Sequence, residues 1–183
     1  MTHPVDTPDT ASLTTWLPYI EQQLGRSPRG LRAIAAFNGR GQPAVIRVAS
    51  VVDGKPFPTL FWLIDPALNL AIDRLEAAGT IAHWQSDVAA SVSLREQMAR
   101  DHRAHQQLRN RFLTTEERGF LAAAGMLDAL DQRGIGGIAD PDRIRCLHTW
   151  DAAHCVQPNV IGARVDAVLN QSTTDLNLRE TQS

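Results

Sequence analysis

The side chains best suited to hold a metal ion cluster late in the chain. Cys146-Leu147-His148 and His154-Cys155 place two thiols and two imidazoles within ten residues. Thiolate sulfur and imidazole nitrogen are common ligands of Zn2+ and the later first-row metals, so Cys146, His148 and His154 are candidate ligands for zinc or another transition metal. Their spacing, Cys-x-His-x5-His-Cys, differs from the two separated ligand pairs that build structural zinc sites, and the same residues also read as small buried thiols and core imidazoles. A second set lies upstream. Asp101 and His105 stand four apart, which on a helix lets the carboxylate orient and charge-stabilise the imidazole as in acid–base sites; His102 is the alternative partner. An ion pair of structural purpose accounts for the same spacing. Asp101, His102, His105, Cys146 and His148 are thus the candidate catalytic residues of a metal-dependent enzyme or metalloprotein.

A different chemistry is written nearer the start. From Gln22 to Val52 there is no acid, yet Arg26, Arg29, Arg32, Arg40 and Arg47 all fall there. Arginine forks bind phosphate through paired hydrogen bonds, and glycines let backbone N–H groups turn toward an anion. Asn38-Gly39-Arg40-Gly41 and its flanks are therefore a candidate site for a small anionic, phosphate-bearing ligand. Arg32, Asn38, Arg40 and Arg47 are the residues assigned to it, with a solvated basic rim as the competing reading. Gly134-Ile135-Gly136-Gly137-Ile138 is followed by Ala139-Asp140-Pro141 and not by a helix start, so it reads as a tight loop of close backbone packing. The sequence holds no nucleophile elbow, Walker loop or His-Glu-x-x-His helix. Trp16, Trp84 and Trp150 are the candidate anchors of a protein partner.

These residues need a scaffold, and 183 residues suffice for one domain with a buried core. Apolar residues make up 43% and charged ones 21%, which is globular rather than disordered composition. A net charge of −2 gives no general attraction to nucleic acid or an anionic membrane, and no apolar run reaches the ~18 residues of a membrane span. The first residues hold no basic start followed by an apolar stretch, and two cysteines are too few for a disulfide framework, so the cytoplasm is the expected compartment.

Leu13, Trp16, Leu17, Ile20 and Leu24 predict a helix over 12–24, ended by Gly25. Runs rich in Val, Ile, Phe and Trp at 31–37, 44–52 and 59–64, separated by two glycine turns, predict an antiparallel three-stranded meander. The third run is apolar on both faces, which implies cover on each side or a central position. Asp65-Pro66 starts a helix and Gly79 stops it. A longer helix is expected over 93–112, a short one from Thr115 to Ala124, and a last amphipathic one over 160–169. The fold class is α+β, with a small sheet packed against several helices. Residues 12–169 form a single domain, between disordered tails at 1–11 and 170–183.

Several strings together resemble a bacterial family known as domain of unknown function 501. They are Pro28-Arg29-Gly30-Leu31, Gly41-Gln42-Pro43-Ala44-Val45-Ile46, Pro56-Phe57-Pro58-Thr59-Leu60-Phe61-Trp62-Leu63, Leu75-Glu76-Ala77, the glycine loop at 134–138 and Cys146-Leu147-His148. The resemblance spans about 28–165 and implies a small cytoplasmic protein without an established activity. The family pattern places a cysteine before the Gly-x-Pro motif and further histidines after Cys-Leu-His, implying a metal or redox site. Here Asn38 stands at that cysteine and Trp150 at one of those histidines, and asparagine is a poor ligand for a soft metal. A site shared by all these groups requires Asn38, Cys146, His148 and the turn from Asp101 to His105 to gather in one pocket.

Overall fold

The computed structural model describes the backbone of residues 10–180 and the side chains of residues 13–171. Residues 1–9 and 181–183, which belong to the stretches expected as tails, lie outside the described residues. Helix α1 (Thr10–Leu24) leads into β1 (Leu31–Phe37), β2 (Pro43–Val48), a small hairpin of β3 (Val51–Val52) and β4 (Lys55–Pro56), and β5 (Phe61–Leu63). Helices follow: α2 (Pro66–Ala77), α3 (Thr80–Ala90), α4 (Val92–Phe112), α5 (Thr115–Ala123), α6 (Leu127–Asp131), a 3-10 turn (Ile135–Gly137), α7 (Leu147–His154) and α8 (Val160–Glu180). The architecture is the expected α+β one, with an antiparallel sheet in the order β1-β2-β5 packed against helices.

Every residue of β2 is buried, because the sheet is covered on both faces. Val45 and Phe61 pack among Ile72, Met98, Leu147 and Trp150 of the helices, while Ile46, Val48 and Ile64 pack on Ile20 of α1. The doubly apolar third strand is explained the same way: β5 is an edge strand with cover on each side. Fully burying each of these aliphatic side chains contributes about 1.5–3 kcal/mol, so this sandwiching is the main adhesive of the N-terminal half.

The second strand ends at Val48 rather than 52. Ala49 N–H donates to the Gly30 carbonyl at 2.7 Å. The chain then turns back through Asp53 (φ 52°) and Gly54 (φ 70°), the pair of left-handed residues that a tight two-residue hairpin requires.

Helix α2 begins as its end chemistry dictates. Asp65 Oδ1 accepts the N–H groups of Ala67 and Leu68, both at 2.9 Å, and Pro66 occupies the first position. Gly79 (φ 82°) ends it, but the chain immediately re-enters a helix, α3, that the sequence reading omits. Ser91 then caps α4 by accepting from Leu94 N–H. Helices α6 and α7 likewise go beyond the expected elements, and α8 continues through Glu180, past the expected stop at 169. On α4 the buried stripe is Leu94, Met98, His102, His105 and Arg109. Arg109 is fully buried and ties the segment before β5 to helix α6, donating to the carbonyls of Pro58 and Leu130.

The glycine loop is a packing device. A Cβ on Gly134 would overlap His102 Nδ1, one on Gly136 (φ 67°) would meet Thr149 Oγ1 at 2.6 Å, and one on Gly137 (φ 72°) would meet Pro58 at 2.9 Å. Backbone without side chains is the only way to bring α4, α7 and the β5 approach this close.

Candidate functional site

Arg32 of β1 and Arg47 of β2 lie near the open end of their hairpin, where Ala33 pairs with Arg47. Both line a half-open cavity of about 460 Å³, together with Ser50, Arg111, Phe112, Thr114 and Glu117. Arg47 is only 8% exposed, and its guanidinium carbon stands 3.9 Å over the Phe112 ring. Arg32 Nη2 donates to Glu117 Oε1 at 3.0 Å. Glu117 is itself fixed: its Oε2 accepts Thr114 N–H, and its own N–H donates to Thr114 Oγ1, a reciprocal helix cap. Three guanidinium groups against one carboxylate leave the cavity positive. Arg111 was not singled out from the sequence, and its only local signal was a basic residue in the last turn of a helix.

Asn38 and Arg40 lie elsewhere. Asn38 Oδ1 accepts the N–H groups of Arg40 (2.9 Å) and Gln42 (3.0 Å), and its Nδ2 donates to Asp65 Oδ2 (2.7 Å). Five residue steps along the extended chain, about 17 Å, separate Asn38 from Ala33. Asn38 therefore fastens the hairpin turn to the start of α2. Burial acts to raise the Asp65 pKa, but hydrogen bonds from Asn38, Leu68 and Ala67 outweigh it and hold the carboxyl below its ordinary value.

Cys146 occupies the cap position of α7, with its Sγ 3.6 Å from His148 Nδ1. The same nitrogen lies 3.3 Å from Glu76 Oε1, and one ligand atom from each of Glu76, Cys146 and His148 falls within 4.8 Å of the others. Glu76 comes from the last turn of α2, and its Oε1 also accepts Leu147 N–H at 2.6 Å. Asp73, one turn earlier, places Oδ1 3.3 Å from His148 Nε2. The neighbouring Cys146 sulfur, followed by the charges of Glu76 and Asp73, raises the His148 pKa to about 9 against the opposing effect of burial. Glu76 was not among the residues assigned to a site, although it lies inside the Leu75-Glu76-Ala77 string.

His154 does not join this cluster. It follows His148 by six residues on α7, about 9 Å along the axis and on another face. There Nδ1 accepts Asn159 N–H at 2.9 Å and Nε2 lies 3.3 Å from Asp166. Cys146 and Cys155 are both free thiols.

On α4, Asp101 Oδ2 accepts Val160 N–H at 2.8 Å, which places the carboxylate at the start of α8. His102 Nδ1 accepts Ile135 N–H at 2.9 Å, and its ring meets Trp150 edge-on at 4.8 Å. His105 meets Phe61 edge-on at 5.9 Å. Burial lowers the His102 pKa to about 4 and that of His105 to about 3, so both imidazoles are neutral at pH 7. Of the three candidate anchors, Trp84 and Trp150 are buried as well, 6% and 0% exposed, while Trp16 keeps partial exposure.

The groups required for a single shared site are therefore divided. Asn38 stands at the first turn of α2 and the Cys146 cluster at its last, about 16 Å apart for eleven helical residues. The arginine cavity is built by the sheet with α4 and α5.

No curated protein and no solved structure matches the chain. No helix among the described residues is long and apolar enough to cross a membrane. Residues 34–167 match the family described as Protein of unknown function (DUF501), a span holding the Cys146 cluster, the glycine loop and all of the cavity except its β1 edge. On that match, over well more than half of its length, the chain belongs to the DUF501 family.

Proposed function

We propose that this protein binds a small anionic, phosphate-bearing molecule in the cavity lined by Arg32, Arg47 and Arg111. The observation that supports the reading is their convergence from β1, β2 and α4 on a space of about 460 Å³, a volume typical of small-molecule sites. Two features favour an anion over a neutral ligand. The Phe112 face backs the Arg47 guanidinium and fixes its plane, which reduces the entropy lost when it grips a phosphate. Glu117 orients Arg32 while leaving the cavity with a net positive charge.

The test is a thermal-shift screen with inorganic phosphate, pyrophosphate, sugar phosphates and nucleotides, followed by titration calorimetry. A ligand at a hundred times its Kd stabilises by about 2.7 kcal/mol, which for a chain of this size raises Tm by about 5–10 °C. Arg47→Ala and Arg111→Ala should abolish the shift, Arg40→Ala should leave it intact, and added salt should shrink it. The reading fails if no compound raises Tm, or if Arg40→Ala removes the shift as fully as Arg47→Ala.

A further inference from the structure

We infer that Glu76, Cys146 and His148 form a binding site for a borderline-soft divalent cation, Zn2+ by chemistry, with Asp73 as the carboxylate that orients the histidine. The site is separate from the arginine cavity and stands or falls independently of it.

With Zn–S near 2.3 Å and Zn–N and Zn–O near 2.05 Å, tetrahedral angles set sulfur and nitrogen about 3.6 Å apart and nitrogen and oxygen about 3.3 Å apart. The distances here are 3.6 Å from Cys146 Sγ to His148 Nδ1 and 3.3 Å from that Nδ1 to Glu76 Oε1. Two edges of the ligand triangle thus already have the lengths of a zinc tetrahedron, and all three atoms lie within 4.8 Å of one another. The ligand set is also the right one: thiolate, imidazole and carboxylate suit Zn2+, while Mg2+ and Ca2+ select all-oxygen sites.

Asp73 supplies a second, independent observation. A metal-binding histidine usually donates its other ring N–H to a carboxylate, which fixes the tautomer and turns the ligating lone pair inward. His148 presents Nε2 to Asp73 Oδ1 at 3.3 Å and Nδ1 to Cys146 and Glu76. Both neighbours of the imidazole are thus on the side each role demands.

Charge closes the case. One thiolate and one carboxylate neutralise the dication, and the thiol proton and the second ring proton of His148 leave to solvent as the metal enters. The side chains of His148 and Glu76 remain 23% and 27% exposed, so the fourth position faces water. Three protein ligands with an open fourth position is the arrangement of catalytic rather than structural zinc. The site therefore takes a water or a small oxygen- or sulfur-donor ligand as its fourth partner.

The experiment uses the full chain without an affinity tag, stripped by a chelator and titrated with Co2+ and then Zn2+. The expected result is one equivalent of cobalt, a thiolate-to-cobalt charge-transfer band in the near ultraviolet, the intense visible bands of tetrahedral cobalt, and loss of both on adding Zn2+. Cys146→Ser should eliminate the charge-transfer band, whereas Cys155→Ser and His154→Ala should preserve it. Asp73→Asn should weaken zinc affinity by about 10–100-fold with the band intact. Glu76→Gln keeps an acceptor for Leu147 N–H and should weaken binding without unfolding the protein. If it does not fold, Cys146→Ser decides alone. The proposal is overturned if the wild type shows no charge-transfer band, if cobalt gives only the weak spectrum of an octahedral ion, or if the band survives in Cys146→Ser.

Discussion

Two neutral histidines in the core make this protein acid-sensitive in a way that one substitution should halve. In the unfolded chain a histidine binds a proton near pH 6.5, whereas His102 and His105 in the folded core do so only near about 4 and about 3. Below pH 6.5 the unfolded state therefore carries more protons, and stability falls as pH falls, with the loss spread from about 6.5 down to the folded values. Between pH 7.5 and 5.0 each histidine costs about 2 kcal/mol, so the pair removes about 4 kcal/mol. For a domain with a net stability of about 5–15 kcal/mol this is a large share. His105→Phe isolates one half. The new ring keeps the edge contact to Phe61, no described partner of Nε2 is lost, and a space of about 40 Å³ beside the residue receives the extra atoms. Urea denaturation of both proteins at half-unit pH steps should give nearly equal free energies at pH 7.5, with the variant ahead by about 2 kcal/mol at pH 5.0. Curves that run parallel across this range would show that His105 is not held neutral by the core, and the reasoning would fall.

Gly134→Ala forces a Cβ into the His102 ring and disturbs the bond from Ile135 N–H, so the expected loss is about 2–4 kcal/mol; a loss under 1 kcal/mol in urea denaturation would mean that the loop yields freely. Asp65→Ala removes the cap of α2 and the partner of Asn38 together and should cost about 2 kcal/mol, and Asn38→Ala should cost much less when made on top of it than in the wild type, as a double-mutant cycle would report. Trp150→Leu hollows the centre of the main core beside His102 and should lower stability by about 3 kcal/mol, read as a Tm drop of about 6–12 °C.

What lay open in the sequence was whatever a few neighbouring residues decide among themselves. Strand β1 has the bounds expected of it, and Asp65-Pro66 starts α2, because a run of apolar residues between glycine turns and a carboxylate before a proline act within one or two turns of chain. The omitted helices α3 and α7 show the limit of such signals. Gly79 does end a helix, but nothing local says that another begins at the next residue, and α7 spans only eight residues whose helical state rests on the burial of Leu147, Trp150 and Ala153.

The candidate sites were legible as residue types and not as partnerships. Cys146, His148, Arg32 and Arg47 were evident from their chemistry, while Asp73 and Arg111 carried no mark distinguishing them from ordinary helix charges, and Glu76 stood out only as part of the Leu75-Glu76-Ala77 string. Asn38 and Cys146 looked like members of one site and stand at opposite ends of α2. The sequence by itself determined the α+β class, the sheet's two apolar faces and the chemistry available. Tertiary structure alone decided which side chains meet, since bringing Glu76 to Cys146 across seventy residues depends on α2 and α7 sharing one core, a cooperative result of burial that no short window of residues contains.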